Sequence, residues 1–349
     1  MRRLNNYQNL ILSGSGIKRG TGNFRVIQQL SILSNVAFED SGFTDTLSGN
    51  LSVSNSGNFT ATGTTVFNGA SGFSGAGNRI FKNVFVSGAL ADSGKTFTVK
   101  GNWSNLSSQY AATGTTIFSS TSPQTQTISG SSFSSITFSG TGTKNITGTL
   151  NISGHWLNSG TGNISGTTNV IFDGTSNQSI DNAGITITNI TINKGSGTMV
   201  LNDDISISGD LTISNGVFND GGNVVVLNGD LLNNGTFSGS GEIDFNGTTN
   251  LSGTGSFTFG SVVINGILVD GGKSISVKGD WTKSGTFTST GSTTFSGNVQ
   301  QNIGSSNFYS IAFSGNGTKV FSNNLTVSKN WQKNDNTALN PSGSLVTFN

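Results

Sequence analysis

Short runs in which apolar residues alternate with Ser, Thr or Asn recur along the whole chain, and Gly, Asn, Asp or Ser closes each run. A two-residue period is that of a strand with one buried face. Glycine and asparagine suit the sharp corners between such strands, because both tolerate positive φ. No long stretch shows a helical period with caps, so crossover helices are not expected.

The runs repeat in a fixed order. Leu10-Ile11-Leu12, Val84-Phe85-Val86, Ile136-Thr137-Phe138, Ile190-Thr191-Ile192, Val262-Val263-Ile264 and Ile311-Ala312-Phe313 form one set. Their third residues lie 74, 52, 54, 72 and 49 positions apart. The longer spacings exceed the shorter by roughly one 20-residue coil of a repeat solenoid. A second set ends in Phe67, Phe118, Phe172, Phe245, Phe295 and Phe348. A third places Trp103, Trp156, Trp281 and Trp331 after a turn, with leucine in that role at Leu51 and Leu231. These ten Phe and Trp positions are the expected internal ladder.

Tandem short strands without helices stack as solenoid coils or pair as antiparallel meanders. Stacking is favoured, because one coil is too small to bury its own apolar residues and neighbouring coils cover it. The expected fold is therefore all-β: a single right-handed parallel β-helix over residues 1–349, with no separate globular domain. It has roughly 16 coils, in imperfect super-repeats of about 50 and about 73 residues. The right hand is that of parallel crossovers generally. An antiparallel sandwich or barrel is the competing architecture. Equal phases place Phe over Phe and Ile or Val over its counterpart.

Composition agrees with a low-charge repeat protein that still has a core: 51 glycines in 349 residues, 9% charged residues and 24 Phe. A net charge of +1 supplies no drive toward nucleic acid. The charge is uneven. Arg2, Arg3, Lys18, Arg19 and Arg25 precede the first acid, Glu39, whereas Asp173 to Asp280 holds eleven acidic and three basic side chains. With no cysteine there are no disulfides or thiolate metal sites. No apolar run is long enough for a membrane-spanning helix. The opening MRRLNNYQNLILSGSG is interrupted by polar residues where a signal peptide has an apolar run, so export would use a signal removed or lying outside this chain.

The phrases YQNLILSGSG, SSITFSGTGTKNITGTLNISGHW, NITINKGSGTMVLNDDISISGDLTISNG and YSIAFSGNGTKVFSNNLTVSKNW resemble repeats of large secreted bacterial surface proteins, the β-helical adhesins and long repeat proteins common among Bacteroidetes. The resemblance covers nearly the whole chain. It implies a right-handed β-helix with an extracellular or cell-surface adhesive or fibrous role.

Candidate chemistry is sparse. His155, the only histidine, stands in Gly-His-Trp where other repeats carry Asn or Asp, and reads as a turn residue. Asp203-Asp204, with Asp210, Asp220 and Lys194 near in sequence, is the best acidic group for a glycan-cleaving β-helix. Adjacent strand residues point to opposite faces, so the pair is poorly matched and a solvated turn is the simpler reading. Lys95, Lys144, Lys273 and Lys319, with Lys18 in a similar setting, form a row that keeps a sheet face soluble or contacts an acidic polysaccharide. The tryptophans read as corner packing, with sugar stacking as the alternative. Thr96/Thr98 and Thr186/Thr188 do not recur in one phase, which argues against a flat threonine array.

No catalytic residues, metal ligands or cofactors are expected, and no enzyme. Both termini run within a repeat phrase rather than in a polar cap, which suggests either a piece of a much longer protein or a subunit whose last coil meets the first coil of the next copy, in a filament that does not close. The expected partner is the chain itself, head to tail, with surface glycans as a further possibility and neither nucleic acid nor membrane insertion. A β-helical polysaccharide-binding or polysaccharide-degrading protein is the alternative.

Overall fold

The computed structural model describes residues 5–166, 168–334 and 336–349. It is all-β and parallel: short strands wind into a right-handed β-helix of about 17 turns. The chain divides into two compact units, Met1–Val170 and Ile171–Asn349.

In the first unit a coil is built from three strands. Thr64–Phe67, Ala70–Ser74 and Asn78–Phe81 form one such coil. Thr64–Phe67 lies in register between Thr44–Leu47 and Asn83–Val86. Asn78–Phe81 lies between Asn58–Thr60 and Phe97–Val99. The second unit repeats the plan. There Glu242–Phe245, Thr248–Ser252 and Ser256–Phe259 make one coil, each paired in parallel with the coils before and after. In strand after strand the alternation places one residue inside and the next outside, as in the TTVF segment, where Thr65 and Phe67 are buried.

The ladder residues occupy the interior. Phe67, Phe118, Phe172, Phe245 and Phe295 are buried, as are Trp103, Trp156 and Trp281. Their vertical neighbours differ from a simple Phe-over-Phe column, because each super-repeat spans several coils. Phe67 lies between Leu47 and Val86, and Phe245 between Leu227 and Ile264. Phe118 and Phe295 do stack on phenylalanines, Phe138 and Phe313, with ring centroids 6.0 and 6.1 Å apart. Trp103 stacks between Val84 and Ile128, and Trp281 between Val262 and Ile303. Leu231 fills the equivalent place between Leu211 and Leu251. The two last members depart from the pattern: Trp331 is half-buried and Phe348 is 61% exposed. Burying one such side chain contributes about 1.5–3 kcal/mol, and neighbouring coils bury each other's.

Glycine sets how closely the corners approach. Gly247, Gly266 and Gly285 stack in successive coils, and a methyl group on Gly285 would overlap the Gly266 carbonyl oxygen, as one on Gly266 would overlap that of Gly247. Gly195 faces open space at an ordinary φ. Gly285→Ala is therefore expected to lower stability by about 1–3 kcal/mol, the usual cost of overpacking, while Gly195→Ala leaves it within about 0.5 kcal/mol. Urea midpoints of the two variants provide the check, and equal midpoints would discount the close approach.

Candidate functional site

The most elaborate chemistry lies at one recurring corner. The chain there reads Asp40-Ser41-Gly42, Asp92-Ser93-Gly94, Asp220-Gly221-Gly222 and Asp270-Gly271-Gly272. Both residues after each aspartate have positive φ. The aspartate carbonyl accepts from the N–H three residues on, at 2.9–3.3 Å. That is a type I′ turn, which asks for Gly, Asn or another residue that tolerates the left-handed region.

The turn aims the aspartate side chain inward, and all four are buried. Each carboxylate then accepts from its own turn and from the next coil. Asp92 accepts from Gly94 N, Thr113 N, Thr113 Oγ1 and Gly114 N at 2.9–3.1 Å, and from the Tyr110 hydroxyl at 2.9 Å. Asp270 accepts from Gly272 N, Ser289 Oγ, Thr290 N, Thr290 Oγ1 and Gly291 N at 2.6–3.3 Å. Asp40 and Asp220 do the same with Gly42, Thr62 and Gly63 and with Gly222, Ser240 and Gly241. The carboxylates thus staple successive coils. Asp220, read from sequence as part of an acidic group, belongs here.

Its companions serve similar ends. Asp203 accepts from Asn182 N at 2.8 Å and from Ala183 N in the preceding coil, whereas Asp204 accepts from Val224 N at 2.8 Å in the following one. The adjacent acids therefore turn toward opposite neighbours. Asp210 accepts from Asp230 N, and Asp230 from Asn250 N, each at 2.8 Å. His155 sits in the same kind of turn, its N–H donating to Ser135 Oγ at 3.1 Å, as the Asp280 N–H donates to Ser261 Oγ.

The lysine row divides. Lys144 and Lys319 are buried rather than facing solvent, which corrects the expectation of an outer row; Lys95 is partly exposed. Lys144 Nζ donates to the carbonyls of Ser139 and Gly142, and Lys319 Nζ to those of Gly297 and Gly317. Lys194 Nζ donates to Gly174 O, Ser176 O and Gln178 Oε1 at 2.6–2.8 Å. The phrases SGTGTK and SGNGTK turn the lysine inward across a glycine corner, and buried Gln126 and Gln301 lie in register with Lys144 and Lys319. Burial lowers all three lysines, Lys144 to about 8, with Asp173 partly offsetting the effect at Lys194. Arg79 is also buried, donating to Gly77 O and to two neighbouring carbonyls, and burial lowers it too.

Trp103 and Trp281 donate their indole N–H to Ser131 and Ser306 at 3.0 and 2.8 Å, inside the coil. Their ring faces contact Phe and Tyr, which is packing geometry.

One buried group stands apart. Asp45 occupies the inward position filled by Phe97 and Ile275 in the equivalent KTFTV and KSISV segments, in register with Phe24 and Thr65. Neither of its carboxyl oxygens has a hydrogen-bond partner, nor does Thr65 Oγ1. Burial, with a smaller contribution from Asp40, pushes its pKa up to about 8. Alignment of the segments by their turns exposes this Asp in an otherwise apolar phase.

These features define a parallel β-solenoid whose coils are locked by apolar columns inside and by carboxylate and ammonium contacts to backbone at the corners. Comparison with protein families, with characterised proteins and with solved structures found no match.

Proposed function

We propose that this chain is a structural β-solenoid of the extracellular space, a subunit of a filament or a section of a cell-surface adhesin shaft, joined by stacking of coil on coil. The observation that carries the reading is the coil-on-coil stacking itself: each coil buries its neighbours' inward side chains, as Leu30 is buried between Leu10 and Leu51, and Phe245 between Leu227 and Ile264. Parallel coils of that kind accept a further coil through the same contacts. A coil supplied by a second copy in head-to-tail contact propagates as a filament.

Negative-stain electron microscopy and sedimentation across a concentration series test the reading. The wild-type chain is expected to form filaments whose length grows with concentration, and Leu12→Lys or Phe348→Lys is expected to leave short particles. Particles of one size at every concentration for the wild type would overturn self-assembly.

A further inference from the structure

We infer that the outer face of the strands Asn58–Thr60, Asn78–Phe81 and Phe97–Val99 is a binding site for an acidic, uronate-bearing polysaccharide. Phe81 and Val99 are register partners, and the Lys100 N–H donates to the Phe81 carbonyl at 2.8 Å. The residues that follow, Lys82 and Lys100, therefore stand one above the other on adjacent coils, about one strand spacing of 4.8 Å apart. Both are exposed. Like charges stacked directly across a sheet destabilise it unless an anion lies between them.

No protein carboxylate fills that role: among the described residues the one ion pair is Arg19–Glu39. The two lysines instead line a cleft of about 450 Å³ with Thr60, Ile80, Ser119 and Thr121. An adjoining cleft of about 520 Å³ shares Ile80 and adds Lys95. Three ammonium groups thus border two clefts that meet at Ile80, each lined by residues of several coils.

The lining selects the ligand. Ammonium groups fit carboxylates, the threonine and serine hydroxyls exchange hydrogen bonds with sugar hydroxyls, and Ile80 gives an apolar rest for a ring's C–H face. The one aromatic residue of the lining, Phe97, is buried at 2% exposure and offers no open face to an unstacked base, which single-stranded nucleic acid would use. Acidic polysaccharide is thus favoured over nucleic acid, and the site is present whether or not the chain polymerises.

The test is titration calorimetry of the full chain with oligogalacturonate, with neutral cello-oligosaccharide and oligothymidylate as comparators. Saturable, salt-sensitive binding of oligogalacturonate alone is expected. Lys82→Ala combined with Lys100→Ala should weaken it by about tenfold, the effect of two partly exposed ion pairs. Lys278→Ala with Lys283→Ala removes the same charge elsewhere and should leave it unchanged, with circular dichroism reporting that all variants are folded. Absence of saturable binding, an equal loss in the second pair, or tighter binding of oligothymidylate would each overturn the inference.

Discussion

Replacing Asp45 by valine is expected to stabilise the first unit, and the gain is expected to grow as the pH rises from 4 to 8. The native carboxyl lies in register with Phe24 and Thr65, neither of its oxygens makes a hydrogen bond, and the buried Asp40 carboxylate adds repulsion. It keeps its proton until about pH 8, whereas the unfolded chain releases it at the ordinary 3.8. Between those values the native state binds more protons than the unfolded state, so raising the pH weakens the native state. Its stability is intact below pH 3.8 and falls through the window up to about pH 8. Each pH unit across that window costs about 1.4 kcal/mol, so the loss at its upper end is on the order of 5 kcal/mol.

Valine removes both the titration and the unpaired polar group, and fits a position where equivalent coils carry Phe97 and Ile275. Asp45→Asn removes the titration but keeps an unpaired amide, so its pH profile should be flat while its stability stays below that of the valine variant. Urea midpoints at pH 5 and pH 8, with amide exchange in strands Phe24–Ile32, Thr44–Leu47 and Thr64–Phe67, measure the effect. A valine variant less stable than wild type at pH 8, or a gain that does not depend on pH, would sink the assignment of a neutral buried acid.

Asp45 also shows what the amino-acid pattern could and could not reveal. The architecture was legible because strand period, turn residues and marker order all pointed to one solution. Phe67, Trp103 and Trp281 lie inside as their phase requires. What the pattern concealed is the use of polar side chains. Lys144 and Lys319 read as surface residues because a lysine is seldom buried, yet each lies beneath a glycine corner whose carbonyls accept its protons. Asp220 read as one of several solvated acids. Its contacts come from Ser240 and Gly241, about one coil away in sequence, and no local rule places them. Interior polar ladders depend on which residue the next coil presents, so they emerge only when the coil length is known to the residue.

Truncating one of the corner carboxylates is expected to be the most damaging single change that removes no apolar surface. In Asp270→Ala three backbone N–H groups, of Gly272, Thr290 and Gly291, and the hydroxyls of Ser289 and Thr290 lose their acceptor at once. Leaving a buried donor unsatisfied costs about 1–3 kcal/mol, and hydrogen bonds to a charged acceptor are the stronger kind. Local relaxation and entering water recover part of that, so a net loss of about 3–5 kcal/mol is expected. Asp92→Ala should behave alike, since the Tyr110 hydroxyl and four further donors converge on it. Asp204→Ala, which frees only the Val224 N–H at an exposed turn, should cost less than about 1 kcal/mol. Because coils stabilise only their neighbours, the damage should stay near the altered corner and appear first in amide exchange of Ser274–Val277 and Ser292–Phe295 for the Asp270 variant. If Asp270→Ala and Asp204→Ala unfolded at the same urea concentration, the carboxylates would be ordinary turn residues, and the coils would owe their lateral register to the apolar columns alone.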